Sequence, residues 1–234
     1  MSIFTRILSL RTKIAVFLFR IAQKVPGIHF YEYIVWERVC YIVNPKAASS
    51  SLRRAFMESA LEPSVNNKSF REIRHFGSIK DVNRLPGIEF TFTVIRDPEK
   101  RIFSCWEQKV NRRDHAGFRF LNQYFFFYYP FIKFADPFSR FIAAVNRIPD
   151  RFSEKHFMSQ CEVVGYGKIP YSKIYTLDKI NEISNDLQRF IPGFSLGMLE
   201  NVTGSNPSGL SEDTKEVIRV RYKRDFELYD TLSS

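Results

Sequence analysis

YIVNPKAASSSLRRAF, residues 41–56, changes its periodicity midway. Tyr41, Ile42 and Val43 form a short β-rich apolar run, Asn44-Pro45 stops it, and Ser49 to Ser51 lead into a helical segment carrying Leu52, Arg53, Arg54 and Phe56. The pattern predicts strand, tight loop, helix. Such a junction turns unpaired backbone N–H groups and the positive end of a helix dipole toward one point. The hydroxyls of Ser49, Ser50 and Ser51 and the ammonium of Lys46 would join them, so the loop reads as an anion cradle.

Downstream, residues 87–96, GIEFTFTVIR, alternate Phe90, Phe92 and Val94 against threonines, a strand signature. Asp97-Pro98 then opens a helix, with Asp97 as N-cap and Pro98 in the first helical position. Ile102, Phe103, Trp106 and Val110 recur at helical spacing and predict one buried face. Residues 118–148 read as an aromatic-rich helical region, and 178–191 and 211–229 as two more helices. Strands alternating with helices predict an α/β fold: one domain with a mostly parallel central sheet flanked by helices and a P-loop-like nucleotide-binding architecture. Ligands of such sheets bind beyond the carboxyl ends of the strands. Lys46 and Arg96 both follow strands there, and Ser104 lies about two helical turns beyond Arg96. Two anion sites on one sheet edge imply a ligand with two separated anionic groups. Taken singly, each motif is equally readable as a solvated loop lysine or a local Arg96–Asp97 pair.

A chain of 234 residues, 44% of them hydrophobic, can bury one substantial core. Thirty-five Lys and Arg against 25 Asp and Glu leave a formal charge of +10, which favours anionic partners. Cys40, Cys105 and Cys161 are odd in number, widely spaced and outside any C-x-x-C pattern, so neither a disulfide framework nor a zinc site is expected. Residues 1–35 read as a basic amphipathic segment ahead of a domain at 36–234. Within residues 1–25 the longest uncharged run, Ile14 to Phe19, falls far below the roughly 20 residues a bilayer crossing needs. Packing on the domain is one reading of it and peripheral contact with an anionic membrane through residues 1–25 the other. The run YFFFYYPF at 124–131 reads as core in preference to a sugar-stacking platform. Arg112, Arg113, Arg119 and Arg140 are either guides for an acidic acceptor or solvated charges. Asn67-Lys68-Ser69 and Asn201-Val202-Thr203 fit the glycosylation triplet.

PKAASSSL (45–52) and FTVIRDPEKRIFSCW (92–106) together resemble the two signature blocks of the carbohydrate sulfotransferases, which use 3′-phosphoadenosine 5′-phosphosulfate (PAPS). The resemblance implies that Pro45, Lys46, Ala47, Ala48, Ser49, Ser50, Ser51 and Leu52 hold the 5′-phosphosulfate, and that Arg96 and Ser104, at the family's offset of eight, hold the 3′-phosphate. Downstream, EKHFMSQ (154–160) resembles the family's Asp-x-His-Trp-x-Pro-Gln segment, Tyr171 to Ile180 its Tyr-Asp-x-Ile segment, and YKRDFE (222–227) its closing Tyr-x-x-Asp-Phe helix. The likeness is closest to the chondroitin and dermatan 4-O and heparan 2-O enzymes. Asn44 stands where the family often has an apolar residue, Ser49 where it often has cysteine, and Asp178 where it often has glutamate. With no apolar stem ahead of the domain and free cysteines, a cytoplasmic or peripheral setting is expected in place of the Golgi lumen of the animal relatives.

Sulfuryl transfer calls for in-line attack and for cations at the bridging oxygen, a role that falls to Lys46. The loop lacks glycine and the G-x-x-x-x-G-K-[ST] pattern, and it supplies its own cation, so no metal is required. The acceptor, a hydroxyl compound and by resemblance a glycan, needs a base. His75, about twenty residues before Arg96, takes that role by resemblance. His156 is the competitor, as base or as substrate-binding group, while His29 and His115 lack supporting context. Two other classes compete: a P-loop-type small-molecule kinase, which would need magnesium, and a non-catalytic polyanion- or membrane-binding protein, which would leave the paired motifs unexplained. Nucleic acid is not an expected partner.

Overall fold

The computed structural model describes residues 30–61, 73–111, 132–133, 136–197, 207 and 209–233. The N-terminal segment 1–29, His29, Arg112, Arg113, His115, Arg119, the aromatic run 124–131 and both glycosylation triplets lie outside the described residues.

Five strands form one sheet: β1 (Tyr31–Trp36), β2 (Val39–Ile42), β3 (Arg74–Gly77), β4 (Phe90–Ile95) and β5 (Lys173–Thr176), in the order β3-β1-β2-β4-β5. β2 pairs in parallel with β4, and β4 with β5, while β1 runs antiparallel to both β2 and β3. Four strands therefore point one way and β1 alone is reversed, a mixed and mostly parallel α/β sheet. β1 starts ahead of the 35/36 boundary read from sequence, so residues 31–35 belong to the sheet.

Eight α-helical segments accompany it among the described residues: α1 (Ser49–Leu61), α2 (Ile79–Val82), α3 (Pro98–Trp106), α4 (Phe138–Asn146), α5 (Gln160–Val163), α6 (Glu182–Gln188), α7 (Glu212–Arg221) and α8 (Lys223–Ser233). Period-2 alternation sorts the strand residues between two faces. Ile34, Tyr41, Phe92, Val94 and Tyr175 pack with Leu52 and Phe56 of α1 and Ile183 and Leu187 of α6. On the opposite face Tyr33, Cys40 and Ile42 pack with Val82, Val164 and Ile169, and Ile95 packs with Cys161 and Leu228 of α8. A further cluster joins Ile102 and Cys105 of α3 with Phe141 and Val145 of α4, Phe157, and Ile218 of α7.

The helix starts follow local chemistry. Asp97 caps α3 by accepting a 2.8 Å bond from the Lys100 N–H, with Pro98 in the first turn. The helical region read over 211–229 is broken at Tyr222 (φ −113°) into α7 and α8, because the Tyr222 side chain is drawn inward to donate to the Phe157 carbonyl at 2.6 Å. All three cysteines are free and buried, and burial pushes the thiols of Cys40 and Cys105 up to about 12. No described helix is long and apolar enough to cross a membrane.

Candidate anion-binding site

Between β2 and α1 the chain makes a tight loop in which Lys46 (φ +70°) and Ala48 (φ +55°) adopt the left-handed region. For non-glycine residues this costs on the order of 1–2 kcal/mol each, so other contacts must hold the loop. Ala47 is buried in the core between them. The fully buried Asn44 donates through Nδ2 to the Val94 carbonyl and to Gln160 Oε1, both at 2.9 Å. Arg101 Nε donates to the Pro45 carbonyl at 3.1 Å, and Arg96 Nη1 to the Lys46 carbonyl at 3.3 Å. The two blocks legible in sequence thus meet in space. The segment after β4 braces the loop after β2, as the parallel β2–β4 pairing requires.

Positive charge accumulates here, with Asp97, Asp178 and Glu107 acting on Arg96 from beyond ion-pair distance. Arg101, 1% exposed, also donates to the carbonyls of Met158 (2.8 Å) and Lys155 (2.9 Å). Lys46 Nζ donates to Gln108 Oε1, which the π-helical turn Glu107–Asn111 at the end of α3 carries toward the loop. π-turns inside helices often mark functional sites. Arg96 Nε is buried with no hydrogen-bond partner. None of Lys46, Arg96 and Arg101 forms an ion pair among the described residues. Burial first, then the charges of Lys109, Arg96 and Arg101, pulls the Lys46 ammonium down to about 8, and burial likewise lowers Arg96. Buried cations lacking a carboxylate are costly, and a bound dianion would offset that cost. No group of three or more metal-ligating side chains is found among the described residues.

Around this centre the other candidate residues take distinct places. Ser49 and Ser51 are buried in the first turn of α1, Ser50 is exposed, and Leu52 is wholly within the core. Ser104 is buried on α3. His75 lies inside β3, the edge strand, opposite Tyr33 of β1, and stacks on that ring at 5.4 Å. It therefore occupies the face opposite α1, and burial lowers its pKa. His156 sits in the turn before α5. Its backbone N–H and Nδ1 both face the Glu154 carboxylate at 2.8 Å. Burial outweighs the carboxylate and takes His156 down to about 4, so the ring is neutral, donates from Nδ1 and carries its lone pair on Nε2.

Glu32 of β1 joins the two histidine-bearing segments. Its buried carboxylate accepts from Arg53 of α1 (2.6 Å), from Arg74 (2.9 Å), which precedes His75, and from Lys155 (2.8 Å), which precedes His156. Reasoning from sequence assigned no role to Glu32, Arg101, Gln108, Glu154 or Gln160, although the segment EKHFMSQ that it singled out carries two of them. For two of them a signal existed: Arg101 and Gln108 share the face of α3 that carries Cys105, so polar side chains interrupt an apolar stripe. Glu32 meets Lys155 across 123 residues and Gln160 meets Arg96 across 64, beyond the reach of local pattern, whereas Glu154 meets His156 only two residues on.

Compared with known proteins, the chain matches no family model, no curated protein and no solved structure.

Proposed function

We propose that this chain is a sulfotransferase that moves a sulfuryl group from PAPS to a hydroxyl of an acceptor, with carbohydrate as the acceptor class. One observation carries the reading: the Arg96 guanidinium docks on the Lys46 carbonyl at 3.3 Å, so two cationic blocks separated by fifty residues form one basin, with no ion pair to either cation among the described residues. A nucleotide with anionic groups at both its 3′ and 5′ positions has the charge distribution such a basin complements. The first-turn N–H groups and serines of α1, behind the strained loop, suit the 5′ end in the manner of P-loop-like proteins, and Arg96 with Ser104 suits the 3′-phosphate.

In the reaction a bond forms between the acceptor oxygen and sulfur as the bond from sulfur to the bridging phosphate oxygen breaks. The electron pair stays on that oxygen, where Lys46 meets the growing negative charge. A histidine takes the acceptor proton. His75 holds that role by resemblance; His156 competes on one specific observation, the Glu154 carboxylate that fixes its tautomer. Three free cysteines fit a reducing compartment.

Incubation with sulfur-labelled PAPS and a panel of glycans, lipids and phenols tests the reading, with and without EDTA. Transfer that survives EDTA supports it. Magnesium-dependent transfer from ATP with none from PAPS points instead to a small-molecule kinase, and salt-sensitive polyanion binding without turnover to a binding protein.

A further inference from the structure

Gln160 holds together the two halves of the basin. Its side chain is fully buried, and its amide grips both backbone groups of Arg96: Nε2 donates to the Arg96 carbonyl at 2.7 Å, and Oε1 accepts from the Arg96 N–H at 2.9 Å. Oε1 also accepts from Asn44 Nδ2 at 2.9 Å, so one amide fixes the residue that precedes the loop and the residue that carries the guanidinium. Position 96 needs this. The β4 ladder ends at Ile95 opposite Thr176, and Arg96 follows it, so a side chain supplies the pairing that a strand would otherwise provide.

Gln160 is itself anchored from the far end of the chain. The buried Asp225 of α8 accepts from the Gln160 N–H and the Ser159 hydroxyl at 2.7 Å, and from the Cys161 N–H at 2.9 Å. A carboxylate gathering three donors at the start of α5 sets that turn rigidly.

We infer that Gln160, held by Asp225, is the positioning residue that selects the ligand's second anionic group by fixing the backbone from which Arg96 reaches it. The inference rests on the sulfotransferase reading for the identity of that group, the 3′-phosphate. Gln160 touches no reacting atom. It acts through Arg96, whose Nε stays without a protein partner, and through Asn44, which ends β2 at the mouth of the loop.

The test compares 3′-phosphoadenosine 5′-phosphate (PAP) with AMP by calorimetry in wild type, Gln160→Met and Arg96→Ala, alongside hydrogen exchange of the ligand-free proteins. Gln160→Met is expected to lower the PAP-to-AMP affinity ratio about tenfold, the scale of one lost hydrogen-bonding unit, with AMP affinity changed less than about threefold. Without ligand, amides of residues 94–97 are expected to exchange faster in Gln160→Met while those of β2 do not change. An unchanged ratio, or PAP and AMP weakened alike, overturns the selection role. Unchanged exchange at 94–97 overturns the positioning itself. If wild type binds both nucleotides equally or neither, the sulfotransferase reading fails, and the exchange result still decides whether Gln160 positions Arg96. Should Gln160→Met not fold, Asp225→Asn, which removes the carboxylate that gathers the three donors around Gln160 and leaves the Gln160 amide in place, must shift the ratio in the same direction, and no shift overturns the proposal.

Discussion

The Arg96 guanidinium donates through Nη1 to the carbonyl of Lys46 at 3.3 Å, across fifty residues of sequence. On the proposed function Arg96 would meet a ligand phosphate as well as brace the loop for the other end of that ligand, coupling two binding events. Arg96→Ala should therefore weaken PAP by about 2 to 5 kcal/mol, the scale for breaking a desolvated charge pair, and AMP by less. Calorimetry on the folded variant measures both; an undiminished PAP affinity would remove Arg96 from the site.

Lys46 is held down to about 8 by burial and by its cationic neighbours. The ligand-free protein loses the ammonium as pH rises through that value, so on the proposed function kcat/KM should fall on the alkaline side near pH 8. Lys46→Arg, charged throughout the accessible range, should move that limb out of range. Lys46→Met should lower turnover by about 10²- to 10³-fold, as when one preorganised donor to a developing oxyanion is lost.

The same depressed pKa makes a stability statement. Between about 8 and the ordinary lysine value of 10.5, the unfolded chain binds a proton at Lys46 that the folded chain does not, so stability should rise with pH across that window. Below it the folded protein carries a half-buried ammonium that donates to Gln108 but forms no ion pair among the described residues, and Lys46→Met should stabilise the ligand-free protein at pH 7 by ~1 kcal/mol. Denaturant titrations at pH 7 and 10 measure the slope and its loss. A less stable Lys46→Met at pH 7 would contradict the burial argument.

Glu32 behaves oppositely. Burial raises its pKa, but Lys155, Arg53 and Arg74 overcome that and hold it at about 2. A depressed carboxylate contributes stability that is complete above its unfolded value near 4.5 and is lost as pH falls toward about 2. Glu32→Gln should cost about 3 kcal/mol at pH 7, the range for removing one partner of a buried ion cluster, and the gap to wild type should narrow in acid. A gap unchanged between pH 7 and pH 3 would mean that the charge is not what Gln replaces.

The histidines separate by pH. Burial lowers the pKa of each ring, that of His156 to about 4. Activity should fall on the acid side as the base protonates, near pH 4 where that base is His156. His75→Ala and His156→Ala, assayed with a proven acceptor, identify the residue whose loss abolishes the acid limb. Two variants with wild-type turnover would leave no place for histidine base catalysis.

The sequence by itself determined the elements whose signals are local. The period change at Asn44-Pro45, the alternation through β4 and the Asp97-Pro98 cap are set by residues within a few positions of one another, and the structure carries β2, α1, β4 and α3 there. What the tertiary structure alone decided lies in long-range pairing. β1 reverses into β2 through a two-residue turn at Glu37-Arg38, whereas the seat of His75 on an edge strand facing Tyr33, the break at Tyr222 and the Glu32 hub each depend on partners distant in the chain. So does the basin. Nothing within a helical turn of Arg96 tells that Gln160 grips its backbone, or that Asp225 sets Gln160. Such bonds form only after packing has excluded water, because a buried polar group must then find whichever partner the fold brings to it.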